Sequence, residues 1–248
     1  MIVGILLFLL GFDSFHPDAV LRENKEAHYG APFTFTAQRF YLIGKGSQFF
    51  AFESEDHTLV LKLFKARHYL PKFSKRLSLL LSSSLQKKSD ERWKKKFLDT
   101  CACYELAFTE LCEETGLIAL HFSKTETPHP VTLVDGTKEY SLDLSTVPFV
   151  LQKKAILFPE YLRQLTNKEA QKQAIESLKA LFAERAQKKI TDGRQSLRIN
   201  YGFVEGKAIQ IDPGKIYRDE QLDLMIEREK LNARVDRWVL KHFRALSL

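Results

Sequence analysis

Residues 39–64 read RFYLIGKGSQFFAFESEDHTLVLKLF, and they contain three segments rich in apolar and β-branched side chains. The segments cover 39–43, 48–53 and 58–64, and Gly44-Lys45-Gly46-Ser47 joins the first to the second. A polar turn at 55–57 separates the second from the third. Short apolar runs between turn residues are typical of strands, so this stretch predicts a glycine turn followed by a β-hairpin.

A helix and four more strands are predicted after this hairpin. From near Ser89, apolar residues recur every three or four positions, which is the period of one helix face, and Gly116 is placed to end the helix. Strand patterns over 117–122, 131–134, 139–144 and 147–152 then predict the remainder of an antiparallel sheet. The helix face consists of Trp93, Phe97, Cys101, Tyr104, Phe108 and Leu111.

The second half of the chain has helical patterns. Thr166-Asn167-Lys168-Glu169 is a capping-box sequence that opens one amphipathic helix, and another begins at about Glu220. Residues 189–214, between them, are predicted to be rich in loops. Strands followed by helices predict an α+β fold of two lobes. The two helix faces consist of Ile175, Leu178, Phe182 and Ala186, and of Leu231, Val235, Trp238, His242 and Leu246.

Three segments are expected along the chain. They are an N-terminal apolar segment and loop at 1–32, a lobe at 33–152 with a basic insertion at 65–96, and a smaller helical lobe at 153–248. The apolar run Ile2 to Phe12 is too short for a bilayer, which takes about 20 residues, and lacks the flanks of a signal peptide. We expect a cytoplasmic protein, and this run leaves export or membrane association as the alternative.

The positive charge of the chain is concentrated in one segment. The formal net charge is +7, and residues 62–96 contain twelve Lys or Arg and two acids, so 12 − 2 gives +10 there and −3 elsewhere. This pattern is typical of a solvated helix face or of a surface for an anionic partner such as phospholipid, phosphorylated sugar or nucleic acid. Aromatic residues do not alternate with the charges, which counts against single-stranded nucleic acid.

Cysteine and histidine do not indicate a metal site. Cys101, Cys103 and Cys112 form no CxxC pair, so we interpret them as packing residues, and His121 and His129 have no common ligand spacing. The composition, 44% apolar and 28% charged, is that of an ordinary globular protein.

Candidate residues for phosphoryl transfer follow one another along the chain. The reaction needs a loop that approaches the phosphates, a lysine that binds them, and oxygen ligands for Mg²⁺. Gly44, Gly46 and Ser47 lie in the glycine turn, and Lys62 lies in a strand between Leu61 and Leu63, where a charge is costly unless it meets an anion. The later candidates are Glu105 on the helix and Asp192, Asn200 and Asp212 in the second half.

In this order the motifs resemble those of the protein-kinase superfamily over roughly residues 39–214. Val60-Leu61-Lys62 looks like the strand lysine, Asp192-Gly193-Arg194 like the catalytic loop, and Ile211-Asp212-Pro213-Gly214 like a variant of the Asp-Phe-Gly motif. Asn200 looks like the metal-binding asparagine of the same superfamily.

The resemblance implies ATP and Mg²⁺ as ligands and a role for each candidate residue. Lys62 would bind the α- and β-phosphates and pair with Glu105, while Asp192 would act as the base, with the basic residue Arg194 beside it. Asn200 and Asp212 would hold Mg²⁺. The backbone of the hinge, Gln152 to Lys154, would meet the adenine.

Three functions are compatible with these features. The first is an atypical kinase that phosphorylates a hydroxyl of a small molecule or a protein. The second is a pseudokinase that serves as an interaction module, because the catalytic Asp and Asn are eight positions apart, not five, and little chain follows Gly214. The third is binding of an anionic, membrane-surface or nucleic-acid partner by the basic segment 62–96.

Overall fold

The computed structural model describes residues 15–22, 38–66, 83–193 and 196–243. The apolar run 2–12, much of the basic segment 62–96, Arg194 and Leu246 lie outside these residues. The chain divides into two compact units. Unit 1 comprises Met1–Cys101 with Ile118–Gln152, and unit 2 comprises Ala102–Leu117 with Lys153–Leu248.

Unit 1 contains a seven-stranded sheet, and its strands are β1 (Arg39–Lys45), β2 (Phe49–Ser54), β3 (Leu59–Phe64), β4 (Leu117–His121), β5 (Pro130–Asp135), β6 (Lys138–Asp143) and β7 (Phe149–Lys153). Their order in the sheet is β4-β7-β3-β2-β1-β5-β6. The three strands of the opening stretch are found as predicted, with β1 and β2 antiparallel and β2 and β3 antiparallel.

The prediction of a purely antiparallel sheet is wrong, because β1 pairs with β5 in parallel. Arg39 lies opposite Thr132, and Tyr41 lies opposite Val134. A hairpin connection forces its two strands to be antiparallel, but a long connection does not. A helix and the strand β4 lie between β3 and β5 along the chain, so the connection is long enough for β5 to pair with β1 in either direction.

Aromatic side chains on the N-terminal side of β1 contribute to the core of unit 1. The ring of Phe15 packs edge-on against Phe50 and Phe52, with centroid distances of 5.1 and 4.8 Å. Leu21 donates its backbone N–H to the carbonyl of Phe64, which ties this segment to the end of β3. Edge-to-face aromatic pairs of this kind stabilise a core beyond their buried area.

The predicted helix is present and begins earlier than the sequence indicates. Helix α1 (Ser83–Glu110) is followed by the single turn α2 (Cys112–Thr115), and Gly116 ends that turn in the left-handed conformation at φ 63°. The long helix thus ends at Glu110, before the predicted stop, and Gly116 ends only the short turn that follows, where glycine adopts the left-handed conformation without a steric penalty. The side chains of Phe97, Cys101, Tyr104 and Leu111 are buried, as the apolar period requires.

Unit 2 contains three further helices, and two of them begin at different caps from those predicted. The side chain of Asn167, not Thr166, accepts the N–H of Glu169 at 2.9 Å. Asp223 accepts two N–H groups and starts the last helix, so this helix begins after Glu220. Asp and Asn are preferred at this position because their side chains satisfy free backbone donors. The helices are α3 (Phe158–Gln164), α4 (Lys168–Gln187) and α5 (Leu224–His242).

The stretch 189–214 is more ordered than the prediction of loops. It contains β9 (Ile190–Asp192), β10 (Tyr201–Val204) and β11 (Lys207–Gln210). The strand β10 lies between β11 and β8 (Ile156–Leu157), and β9 pairs with β12 (Ile216–Arg218). These strands are only two to four residues long, which is too short to show a clear period in the sequence.

Within the described part of the chain, no helix is both long enough and apolar enough to cross a membrane.

Gly202 lies where β8 and β10 of unit 2 approach each other closely. A Cβ atom at this position would lie 2.7 Å from the carbonyl oxygen of Ile156 and 2.9 Å from the Cβ of Ala155. Both neighbours belong to the segment around β8, and neither is the flexible end of a side chain. The residue next to Tyr201 in β10 therefore has to be glycine for β8 and β10 to pair.

We expect Gly202→Ala to lower the free energy of unfolding by about 1–3 kcal/mol, because the added methyl group must displace backbone. Gly46→Ala is the matched control, since a Cβ there meets its nearest atom at an ordinary 3.6 Å. Urea unfolding of the two variants measures the difference. Equal stabilities would contradict the close approach.

Candidate functional site

Asp192 is the last residue of β9, and the pairing with β12 holds its backbone. It lies opposite Ile216 in the register of the two strands. The next residue, Gly193, donates its N–H to the carbonyl of Lys215 at 3.0 Å. The side chain of Asp192 is buried, with an exposed fraction of 6%. A buried carboxylate requires hydrogen bonds or an opposite charge, and the neighbouring elements supply them.

A chain of hydrogen bonds runs from Asp192 to a buried arginine. The Nε2 amide of Gln210 donates to Oδ2 of Asp192 at 2.8 Å. The Oε1 atom of the same amide accepts from Nη1 of Arg185 at 2.8 Å, and Nη1 also donates to the hydroxyl of Tyr201 at 3.2 Å. Arg185, Tyr201 and Gln210 are each at most 1% exposed. One amide therefore links the positive charge of Arg185 to the carboxylate of Asp192.

Tyr201 serves this network as a neutral group. Burial raises the pKa of Tyr201 to about 12, although the nearby positive charge of Arg185 acts in the opposite direction. The hydroxyl is therefore protonated at neutral pH, and its oxygen accepts the hydrogen bond from Arg185. The aromatic ring of Tyr201 packs edge-on against Phe182, one turn before Arg185 on α4.

Asn200 directly precedes β10 and Asp212 follows β11 by two residues, so both lie at the open end of the β10–β11 hairpin. The carbonyl of Asn200 accepts the N–H of Ile211 at 2.8 Å, which closes the hairpin beside Asp212. Asn200 is 5% exposed, and its N–H donates to the carbonyl of Ser196, so a turn ends at Asn200. This turn accommodates part of the eight-residue spacing between Asp192 and Asn200.

The carboxylate of Asp212 is held through one of its oxygens. Oδ1 accepts from the N–H of Gly214 at 3.2 Å and from the hydroxyl of Tyr104 at 3.5 Å. The backbone carbonyl of Asp212 accepts from Nε2 of Gln210 at 3.3 Å. Residues 210–212 thus include Asp212 and contact both Asp192 and Asn200, which lie earlier in the sequence.

Asn200 and Asp212 fit the ligand preferences of Mg²⁺. In the described ranges, Oδ2 of Asp212 makes no hydrogen bond within the protein, and Asp212 is only half-buried. Mg²⁺ is commonly bound by one or two side-chain oxygens together with phosphate oxygens of a nucleotide. No group of three or more His, Cys, Asp or Glu in the part of the chain that the structure describes is arranged for a metal ion. A magnesium ion at this place would take its side-chain ligands from Asn200 and Asp212.

Glu227 on α5 is a second buried carboxylate, and it holds β9 through Thr191, the residue before Asp192. Its Oε1 accepts from the hydroxyl of Thr191 at 2.8 Å, and its Oε2 accepts from Nζ of Lys230 at 3.0 Å. Burial by itself would raise the pKa of Glu227, but these two hydrogen bonds and the positive charges of Lys230 and Arg185 outweigh burial. The pKa of Glu227 therefore lies below its ordinary value of 4.5.

The other predicted site residues are divided between the two units. Unit 1 contains the glycine turn, Lys62 and Gln152, and unit 2 contains Glu105 and Lys154. Lys62 is 9% exposed and lies opposite Ala51 in the β2–β3 pair, while Gln152 is fully buried near the end of β7. Glu105 and Lys154 are half-buried. The predicted pair of Lys62 with Glu105 joins residues of different units and stays a prediction.

The glycines of the turn are not required by the backbone. Gly44 lies in β1, and a Cβ there would meet the Cβ of Ala51 at 3.7 Å. A Cβ at Gly46 would meet the carbonyl of Phe49 at 3.6 Å. Both distances are ordinary contacts, and neither glycine has a positive φ. Ser47, the next residue, is exposed.

Sequence reasoning missed Arg185, Tyr201, Gln210 and Glu227. Two of these residues had a detectable signal, because each is a charged residue on an apolar helix stripe. Arg185 follows Phe182 by three positions, and Glu227 precedes Leu231 by four. A charged residue at such a position is buried and requires a partner. Tyr201 and Gln210 had no comparable signal, because their strands are short.

Comparison of the chain with models of known protein families and with curated proteins gives no match.

The lowered pKa of Glu227 predicts that this residue stabilises the fold only while it is ionised. Because the pKa is lower in the folded state, the contribution to the free energy of unfolding is complete above the unfolded value of about 4.5 and declines as the pH falls through the folded value. Glu227→Gln should lower the free energy of unfolding by about 1–2 kcal/mol at neutral pH, where Thr191 and Lys230 lose a charged acceptor. The loss should shrink in acid.

Urea unfolding of wild type and Glu227→Gln at neutral pH and well below pH 4.5 measures this change. Glu176→Gln is the control, because Glu176 makes its ion pair with Lys179 while 67% exposed, and exposed pairs contribute little. An equal loss from Glu227→Gln at both pH values would contradict the assignment.

Proposed function

We propose that this protein is a kinase-like phosphotransferase, which binds ATP with Mg²⁺ and transfers the γ-phosphate to a hydroxyl of a small molecule or a protein. The observation that supports the proposal most is the arrangement around residues 210–212. This short segment contacts Asp192 and Asn200 and ends in Asp212, and the kinase resemblance assigns the base and the two metal ligands to these three residues.

Asp192 would orient the acceptor hydroxyl and take its proton. In the transfer, the bond between the acceptor oxygen and the γ-phosphorus forms while the bond from that phosphorus to the oxygen bridging the β- and γ-phosphates breaks. ADP leaves with the electron pair of the broken bond, and the proton of the hydroxyl passes to the carboxylate of Asp192. The hydrogen bond from Gln210 holds Asp192 in one orientation. Such positioning of the reacting groups is a large part of catalysis in phosphate transfer.

Asn200 and Asp212 would hold the metal ion against the phosphates. The hydrogen bonds from Gly214 and Tyr104 hold Oδ1 of Asp212, and this leaves Oδ2 as the oxygen for an ion. Bound Mg²⁺ neutralises the charge that develops on the phosphate oxygens. The amide oxygen of Asn200 is a second ligand of the type that hard cations prefer.

The same proposal assigns the unit 1 candidates to the nucleotide. Gly44, Gly46 and Ser47 would let the backbone approach the phosphates, and the ammonium of Lys62 would bind the α- and β-phosphates. The fold itself does not need glycine at positions 44 and 46, and this supports the role. A loop that covers phosphates needs small residues so that its backbone can come close to the ligand. The hinge backbone at 152–154 would meet the adenine.

We expect millimolar ATP to raise the thermal midpoint of wild type only when Mg²⁺ is present, because a ligand that binds the native state stabilises it. At about 100 times the dissociation constant, the gain is about 2.7 kcal/mol, which is a shift of several degrees. Asp212→Ala should fold normally, lose most of the magnesium-dependent shift and release no ADP. Differential scanning fluorimetry and an ADP assay measure both effects.

Asp236→Ala is the matched control in the same unit, since the side chain of Asp236 is 45% exposed and pairs with Lys179, which is not a residue of the proposed site. This variant should keep the full shift. No shift in wild type would contradict nucleotide binding. A shift without ADP release in wild type would support the pseudokinase alternative over the enzyme.

Gly44→Ala with Gly46→Ala tests the glycine turn. We expect the free energy of unfolding to change by no more than about 0.5 kcal/mol, because both new methyl groups have room. The midpoint shift with ATP and Mg²⁺ should fall by at least half, because the methyl groups would stand between the backbone and the phosphates. An unchanged shift would remove these glycines from the proposed nucleotide site.

A further inference from the structure

We propose that Gln210 and Arg185 are positioning residues, which hold the carboxylate of Asp192 in the orientation that phosphate transfer requires. This inference rests on the proposed function and adds to it two residues that the kinase resemblance does not assign. Neither residue has to touch the substrate, since both act through Asp192.

The amide of Gln210 has only one orientation that suits its neighbours. Its Oε1 atom faces the donor Nη1 of Arg185, and its Nε2 atom faces the acceptors Oδ2 of Asp192 and the carbonyl of Asp212. A flipped amide would place oxygen against carboxylate and NH₂ against guanidinium, and both contacts are repulsive. Arg185 therefore fixes the amide, and the amide fixes Oδ2 of Asp192.

Arg185 is not optimised for stability alone. It is 1% exposed, and within the described residues its Nε and Nη2 atoms have no hydrogen-bond partner. Each buried donor without a partner costs stability, and an apolar residue of similar size on α4 would avoid that loss. The guanidinium lies 5.3 Å from the ring centre of Phe182, which limits its movement. The role of Arg185 in orienting Gln210, which requires a fixed positive charge, explains why an arginine lies at this place.

Gln210 also couples the two acidic candidates. It donates to the side chain of Asp192 and to the backbone carbonyl of Asp212. One amide therefore fixes the position of the carboxylate of the base relative to the backbone of the metal ligand. Both contacts come from the last residue of β11. The register of the β10–β11 hairpin therefore determines the geometry of the site.

The test compares ADP release from ATP and Mg²⁺, with water as the acceptor, in wild type and in Gln210→Met. Methionine keeps the length of the side chain and removes its hydrogen bonds to Arg185, Asp192 and the carbonyl of Asp212. We expect kcat to fall about 10- to 100-fold, because a misplaced catalytic group costs this much, while KM for ATP stays within about twofold. Gln210→Glu is the second variant. It keeps an acceptor for Arg185 and loses the donor to Asp192, so it should be as slow as Gln210→Met.

The same substitution in the Asp192→Asn background distinguishes positioning from packing. If Gln210 acts through Asp192, then Gln210→Met should lower the residual rate of Asp192→Asn by less than about twofold. Ser177→Ala is the control. The Ser177 hydroxyl accepts the N–H of Ala208, which lies in β11 as Gln210 does, but Ser177 itself lies outside the site. This control should keep the wild-type kcat.

The possible outcomes separate the two proposals. Wild type that releases no ADP would overturn phosphate transfer and, with it, this inference. Wild-type turnover with a slow Gln210→Met, an unchanged KM and no additivity with Asp192→Asn would support the role of Gln210. Wild-type turnover with a fast Gln210→Met, a fast Gln210→Glu, a raised KM alone or additive losses would overturn only this inference.

Discussion

The buried guanidinium of Arg185 is the constraint on which the arrangement of unit 2 depends. An ion that leaves water at the cost of several kcal/mol must find partners with good geometry. Here the partners come from three separate elements: Tyr201 from β10, Gln210 from β11 and, through Gln210, Asp192 at the end of β9. Helix α4 and these three strands therefore have to meet in one register, since a shift of one residue would turn Gln210 to the other face of its strand.

Backbone contacts hold the same strands in that register. Gly202 lets β8 approach β10, and the carbonyl of Asn200 closes the hairpin at Ile211. Helix α5 adds a second acidic contact, from Glu227 to Thr191, directly beside Asp192. The polar network and the packing of the strands thus favour the same geometry. A single native state requires such agreement between side-chain interactions and backbone packing.

The glycines show how structural and functional needs can be separated. Gly202 and Gly116 have physical reasons to be glycine, one a close approach of backbone and the other a left-handed φ of 63°. Gly44 and Gly46 have neither reason. A glycine that the fold does not need is better evidence for a binding role than the bare motif, because many glycines in sequence motifs only form turns.

Local patterns in the sequence determined the longer elements of this protein, and tertiary contacts decided the short strands of unit 2 and how the elements and the site residues combine. The period of apolar residues was sufficient for the strands β1 to β3 and for the buried faces of α1 and α4, since each depends on neighbours a few positions away. Motif order was likewise sufficient to select Asp192, Asn200 and Asp212 as candidates. The parallel pairing of β1 with β5 and the hydrogen bonds of Gln210 with Arg185 and Asp192 were decided only by tertiary structure. Both join residues distant in sequence, and their energies depend on burial and geometry that no local period records.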